Sequence, residues 1–157
     1  MYYIAKQNMI ATKNKVVFNN LLNYILYDDL DSENRLFVSW ETFDVAMAYI
    51  HNQVNTLQEQ DKKSFDAIYA LPRGGLCLGV KLSYLTGIPL ITDTAKITSQ
   101  TLIVDDCTDT GQTLSQFARN TIAVMFHKPT SIVKPSIYFQ ETDKQINFCW
   151  ESKEERN

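Results

Sequence analysis

Between residues 101 and 113 the chain reads as a strand, an acidic pair, a hydroxyl-rich turn and the start of a helix. The residues are Thr101-Leu102-Ile103-Val104, Asp105-Asp106, and then Thr108-Asp109-Thr110-Gly111-Gln112-Thr113. Successive backbone N–H groups opening a helix, with a glycine for tight curvature and threonine hydroxyls as further donors, make a cradle for a phosphate. Thr110 and Thr113 are the natural side-chain donors. Ionised aspartates do the opposite: they accept hydrogen bonds, and so suit sugar hydroxyls or a hydrated Mg²⁺. A phosphate cradle beside an acidic pair points to a sugar phosphate. Taken singly, an acidic pair can merely end a strand and threonines can merely cap a helix; the ordered string is what carries the signal.

A second loop, Ala70-Leu71-Pro72-Arg73-Gly74-Gly75-Leu76, has the same setting between an apolar run and a helical pattern. Gly74 and Gly75 would let backbone amides approach a ligand, and Arg73 can clamp phosphate oxygens in a bidentate way. Gly74 to Gly79 has the outer spacing of a nucleotide-binding P-loop, but Val80 stands where that motif needs Lys, and Leu82 follows Lys81. NTP hydrolysis is therefore set aside, and no G-x-G-x-x-G dinucleotide fingerprint is present.

These loops must be held by alternating strands and helices. The pattern predicts strands over Phe65 to Leu71, Ile88 to Ile91, Thr101 to Val104, Ile122 to Phe126 and Ser136 to Phe139, with helices over Leu76 to Thr86 and Gln112 to Ala118. Such alternation gives a mainly parallel sheet with crossover helices, whose ligands sit beyond the carboxyl ends of the strands. Upstream, Ser39 is placed to cap a helix in which Phe43, Met47, Ile50, Val54 and Leu57 form one apolar face. The expected fold is thus α/β, a single domain over 36–157 with a small C-terminal hood. Residues 1–35 form a separate N-terminal extension with an amphipathic helix marked by Val17, Leu21, Leu22, Ile25 and Leu26.

The chain has 157 residues, 45% of them apolar and 21% charged, which is the composition of a compact globular domain. A formal charge of −3 supplies no basic field for nucleic acid or an anionic membrane. Cys77, Cys107 and Cys149 are dispersed and form no C-x-x-C pair, against a disulfide framework or a zinc site. No apolar run reaches the roughly 20 residues that span a bilayer, and the start does not read as a signal peptide. A cytoplasmic protein is expected.

The string Val104-Asp105-Asp106-Cys107-Thr108-Asp109-Thr110-Gly111-Gln112-Thr113 resembles the signature for 5-phosphoribosyl 1-diphosphate (PRPP) of the type I phosphoribosyltransferases. Within that family the likeness is to the xanthine-guanine and other 6-oxopurine enzymes, over about Phe37 to Trp150. Val38-Ser39-Trp40, Leu71-Pro72-Arg73-Gly74-Gly75-Leu76, the PRPP loop, Phe126-His127-Lys128-Pro129 and Phe148-Cys149-Trp150-Glu151 come in the same order. The resemblance implies that Asp109, Thr110, Gly111, Gln112 and Thr113 wrap the 5-phosphate, and that Asp105 and Asp106 face the ribose hydroxyls and Mg²⁺, with Asp106 on the metal. It further implies that Arg73 and Gly74 hold pyrophosphate across a cis bond, that Asp109 is the general base, and that Lys128 donates to the exocyclic oxygen of a 6-oxopurine. The implied partners are PRPP and a purine base or its nucleoside monophosphate, in a homodimer or homotetramer, with neither nucleic acid nor membrane.

The match fails in two places. The family's long mobile loop, which closes over the reacting centre, has only Thr92 to Gln100 to occupy here. Where the 6-oxopurine enzymes place an aromatic residue that stacks on the purine, this chain has Gln145; Tyr138, Phe148 and Trp150 are the candidate substitutes. Two readings follow: a purine phosphoribosyltransferase of 6-oxopurine preference, or a lid-deficient PRPP or nucleotide binder with a regulatory role. Of the histidines, His51 is expected on a helix and His127 in a loop, neither in a nucleophile-base arrangement.

Overall fold

The computed structural model describes residues 34–151. The amphipathic helix expected around Val17 to Leu26 lies outside them. The described residues divide into two compact units, one of residues 46–143 and one that joins 34–45 with 144–151.

The larger unit carries a five-stranded, wholly parallel sheet in the order β3-β2-β4-β5-β6. Its strands are β2 (Ala67–Ala70), β3 (Leu90–Ile91), β4 (Thr101–Thr108), β5 (Ile122–His127) and β6 (Ile137–Glu141). Helix α2 (Gly75–Thr86) follows β2 and packs against β2, β3 and β4 through Leu78 and Leu82. Gly79 lies so close to Ala70 that a β-carbon there would overlap it, which draws the helix tightly onto the strand. Alternate strand residues point the other way: Tyr69, Leu71, Ile103, Ile122 and Val124 form a buried cluster with Leu114 of α3 (Gln112–Ser115). Helix α3 is shorter than the sequence predicts, passing into turns after Ser115.

From β2 the chain moves to β3 on one side, whereas β4 leads to β5 on the other. That reversal opens a crevice above the carboxyl ends of β2 and β4, where α/β sheets bind ligands. Both loops singled out above begin there. Strand β4 runs four residues beyond its expected end, because β5 continues to pair with it through Cys107↔Phe126 and Thr108↔His127. Asp105 and Asp106 are therefore held within the strand, despite the low strand propensity of aspartate.

In the smaller unit β1 (Leu36–Val38) pairs in parallel with β7 (Ile146–Phe148), neither of which the periodicity predicts as a strand. The small hood expected at the C terminus thus draws a strand from before helix α1 (Trp40–Glu59). Ser39 caps α1 as expected, its Oγ accepting from the Thr42 N–H at 3.1 Å. Phe43, Met47, Ile50 and Val54 are all buried. No helix among the described residues is long and apolar enough to cross a membrane.

Candidate active site

The two loops meet through glycine. A β-carbon on Gly74 would overlap the Asp106 carboxylate, and one on Gly75 would stand 2.7 Å from the Val104 carbonyl oxygen and 3.0 Å from the Asp105 Cα. Both glycines thus serve close approach of the Arg73-Gly74-Gly75 turn to β4, where the sequence suggests room for a ligand's approach instead. The Leu71 N–H donates to the Val104 carbonyl at 2.9 Å and fixes the turn's starting point. Arg73 is exposed, and the cis peptide implied at Arg73–Gly74 stands one bond earlier, at Pro72–Arg73.

Asp105 and Asp106 are half-buried neighbours, linked by an Asp106 N–H donating to Asp105 Oδ1 at 2.9 Å. Burial, reinforced by the charge of Asp106, pushes the Asp105 carboxyl up to about 7. A pair of carboxylates that resists double ionisation is a fitting place for a divalent cation. Among the described residues no group of three or more His, Cys, Asp or Glu side chains could enclose one. That donor set suits Mg²⁺, which binds through one or two carboxylates and completes its shell with water and substrate phosphates.

Beyond β4 the loop turns at Gly111, whose φ of 80° is left-handed and open to glycine at little cost. A β-carbon there would stand 2.5 Å from Ser131 Oγ and 2.8 Å from the Val133 nitrogen. The Ile132 N–H donates to the Thr110 carbonyl at 3.0 Å, so the segment after Lys128 backs the turn. Asp109, Thr110, Gln112 and Thr113 are exposed around buried Gly111. The side chains of this turn thus face solvent, and within it the Gln112 N–H donates to Thr110 Oγ1 at 3.3 Å.

Lys128 is half-buried. Its N–H donates to the Thr108 carbonyl at 3.0 Å and its Nζ to the Asp143 carbonyl at 3.3 Å. Cys107 shows how closely these groups gather. Its thiol is pushed up to about 12, chiefly by burial and then by the charges of Asp106, Asp109 and Asp105, against the opposing charge of Lys128. The structure therefore brings Arg73, Gly74, Asp105, Asp106, Asp109 and Lys128 to one end of the sheet.

Gln145 is exposed in the smaller unit, its carbonyl accepting from the Leu36 N–H at 2.8 Å. The candidate substitutes for a stacking aromatic are engaged in packing. Trp150 stacks on Phe148 at 4.7 Å and meets Phe43 edge-on at 5.5 Å; the Tyr138 ring lies 5.3 Å from that of His127. His127 is not in a loop. It is the last residue of β5, 5% exposed, with Nδ1 2.8 Å from Thr108 Oγ1. Its place beside the Thr108 of β4 depends on strand register, which residue spacing does not reveal.

The shortened connection between β3 and β4 is tied down. Asp93 Oδ1 accepts from the Ala95 N–H at 2.9 Å at the head of a 3₁₀ turn (Thr94–Lys96). Thr98 Oγ1 donates to Asp66 at 2.6 Å, the Asn120 amide donates to the Thr98 and Thr101 carbonyls, and Ile97 packs on the buried cluster.

No family model and no curated protein matches the chain by sequence. Solved structures do resemble it. A purine phosphoribosyltransferase from Pyrococcus horikoshii is 28% identical with a TM-score of 0.64, over 75% of this chain and 95% of that one. The xanthine-guanine-hypoxanthine phosphoribosyltransferase of Helicobacter pylori is 20% identical with a TM-score of 0.60, over 76% of this chain and 95% of its own. A hypothetical protein from Neisseria gonorrhoeae with bound ppGpp shares the fold at 14% identity and a TM-score of 0.58, over 73% and 88% of the two chains. The parallel sheet, the order of the loops at its carboxyl end and these likenesses give the chain the fold of the type I phosphoribosyltransferases.

Proposed function

We propose that the protein transfers a phosphoribosyl group from PRPP to a purine base, with a preference for 6-oxopurines, in a Mg²⁺-dependent reaction that releases pyrophosphate and a nucleoside monophosphate. The observation that carries this reading is the interlock of Gly74 with Asp106, which packs the arginine turn against the acidic pair on the strand that leads into the Asp109 to Thr113 turn. A sugar diphosphate carrying a further phosphate calls for that combination of groups.

In this reading the amides and hydroxyls from Asp109 to Thr113 hold the 5-phosphate, and Asp105 and Asp106 accept from the ribose hydroxyls. Mg²⁺, held through Asp106, would neutralise the diphosphate charge as it develops. Arg73 would do the same from the turn packed against Asp106. Asp109 is exposed and unspent in the cradle, so its carboxylate is available to take the proton of the attacking purine. Lys128 offers a donor to an exocyclic oxygen and disfavours an amino group, itself a donor, at the same position.

A second reading, a non-catalytic PRPP or nucleotide binder, is favoured by the connection from Thr92 to Gln100. Its hydroxyls and backbone are committed to Asp66, Thr101 and Asn120, and the chain there has no length for a closing lid. Pyrophosphate release from PRPP and Mg²⁺, measured separately with guanine, xanthine, hypoxanthine, adenine, uracil and orotate, decides between them. Release that depends on an oxopurine supports transfer. PRPP binding without base-dependent release supports the binder.

A further inference from the structure

Thr108, His127 and Glu141 form one row across three strand ends. The registers Thr108↔His127 and His127↔Glu141 set the residues side by side on β4, β5 and β6. Thr108 is 1% exposed and His127 5%, so their polar atoms have little access to water and must satisfy one another. They do so at 2.8 Å between Oγ1 and Nδ1. On the far side His127 Nε2 faces Glu141 Oε2 at 3.9 Å, and the Glu141 side chain is half-exposed. The Tyr138 ring of β6 flanks the imidazole at 5.3 Å.

The Glu141 carboxylate favours a proton on the nitrogen facing it. The neutral imidazole then carries Nε2–H and presents the Nδ1 lone pair to the Thr108 hydroxyl. Thr108 is held twice, since its carbonyl also accepts from the N–H of Lys128, the neighbour of His127. The next residue is Asp109. Both bonds thus fix the peptide from which the Asp109 carboxylate projects, and they tie it to the strand end that carries Lys128.

We propose that His127 is a positioning residue: through Thr108 it sets the direction of Asp109, with Glu141 setting the imidazole tautomer. The inference rests on the transfer reading above. The role is not catalytic, since His127 is buried between Thr108 and Tyr138.

The tests are a tautomer measurement on the wild-type protein and kinetics of substituted forms. Nitrogen-correlated NMR of the His127 side chain should show the Nε2–H form; an Nδ1–H form would overturn the assignment. His127→Leu keeps an apolar volume but removes the acceptor. It should lower kcat for base-dependent pyrophosphate release by about 10²-fold, the scale of a misplaced catalytic group, and PRPP affinity by much less, since the peptide it loosens supplies only one of the cradle's several donors. His127→Asn, whose Oδ1 can accept from Thr108, should regain most of that loss. The Thr108→Val and His127→Leu effects should be strongly non-additive when combined. Wild-type kcat in His127→Leu, equal losses in the Leu and Asn forms, or simple additivity would each overturn the proposal. Absence of base-dependent release from the wild-type protein would instead sink the transfer reading itself, before any substituted form is compared.

Discussion

Gly74 stands against the carboxylate of Asp106 with no room for a methyl group between them. The arginine turn and the acidic strand end are therefore one packed unit, and their spacing does not depend on a ligand. Gly74→Ala must push the turn away from β4. A loss of stability of about 1–3 kcal/mol, typical of overpacking, is expected in urea unfolding. PRPP affinity, read by calorimetry in the presence of Mg²⁺, should fall with it. An alanine form with unchanged stability and affinity would show that the turn is free to relax.

Asp109→Asn separates holding from transferring. The cradle's amides and threonine hydroxyls stay in place, so PRPP should bind as before. Transfer should fall by the ~10²–10⁴-fold that general acid–base catalysis supplies. Unchanged turnover in the same pyrophosphate assay would remove Asp109 from the role of base.

The raised carboxyl of Asp105 gives the ligand-free protein a pH dependence of definite sign. Its folded value of about 7 lies above the ordinary value of 3.8, so the folded state holds a proton that the unfolded state has lost. Stability contributed by this group is full below the ordinary carboxylate value and is lost as pH rises towards about 7. Asp105→Asn should flatten the change in urea midpoint between pH 4.5 and 7.5. Equal slopes in the two forms would show that Asp105 titrates normally.

Cys107 should be unreactive in the native state. With its thiol pushed up to about 12, almost none is thiolate at pH 8, and the nearby carboxylates repel anionic reagents. Iodoacetate at pH 8 should leave Cys107 unmodified until denaturant is added, as read by peptide mass mapping. Rapid native labelling at Cys107 would contradict the crowding of carboxylates around it.

Lys128→Met should erode the preference for oxopurines. Loss of a hydrogen bond from a charged donor costs about 1.5–3 kcal/mol, or roughly 10- to 150-fold in kcat/KM for guanine or hypoxanthine. Adenine, which offers no acceptor there, should be spared. Parallel losses for every base would mean that the Lys128 side chain supports the loop through the Asp143 carbonyl instead of reading the base.

Local signals were enough for most of the scaffold. The apolar positions Phe43, Met47, Ile50 and Val54 repeat at helical spacing and are buried as that spacing demands. The Asp105 to Thr113 string was legible because turn chemistry at a strand end is local. What stayed hidden depends on partners far away in sequence. Strand β7 begins after the polar pair Lys144-Gln145 and exists through pairing with β1, more than a hundred residues earlier. The extension of β4 through two aspartates is dictated by β5. Gly74 and Gly75 reveal their packing role only once Asp105 and Asp106 are seen beside them, and His127 its buried bond only once Thr108 is opposite.

The β1 and β7 pairing also orders events during synthesis. Leu36 meets Ile146 and Val38 meets Phe148, so the smaller unit's sheet cannot form until the ribosome has released almost everything described in between. The five strands of the larger unit all lie between Ala67 and Glu141, and can pair before that point. As domains fold from the N-terminal side during elongation, β1 emerges early, with an unpaired edge, and waits. A stalled chain ending before Ile146 should therefore expose that edge to proteolysis or to foreign strands.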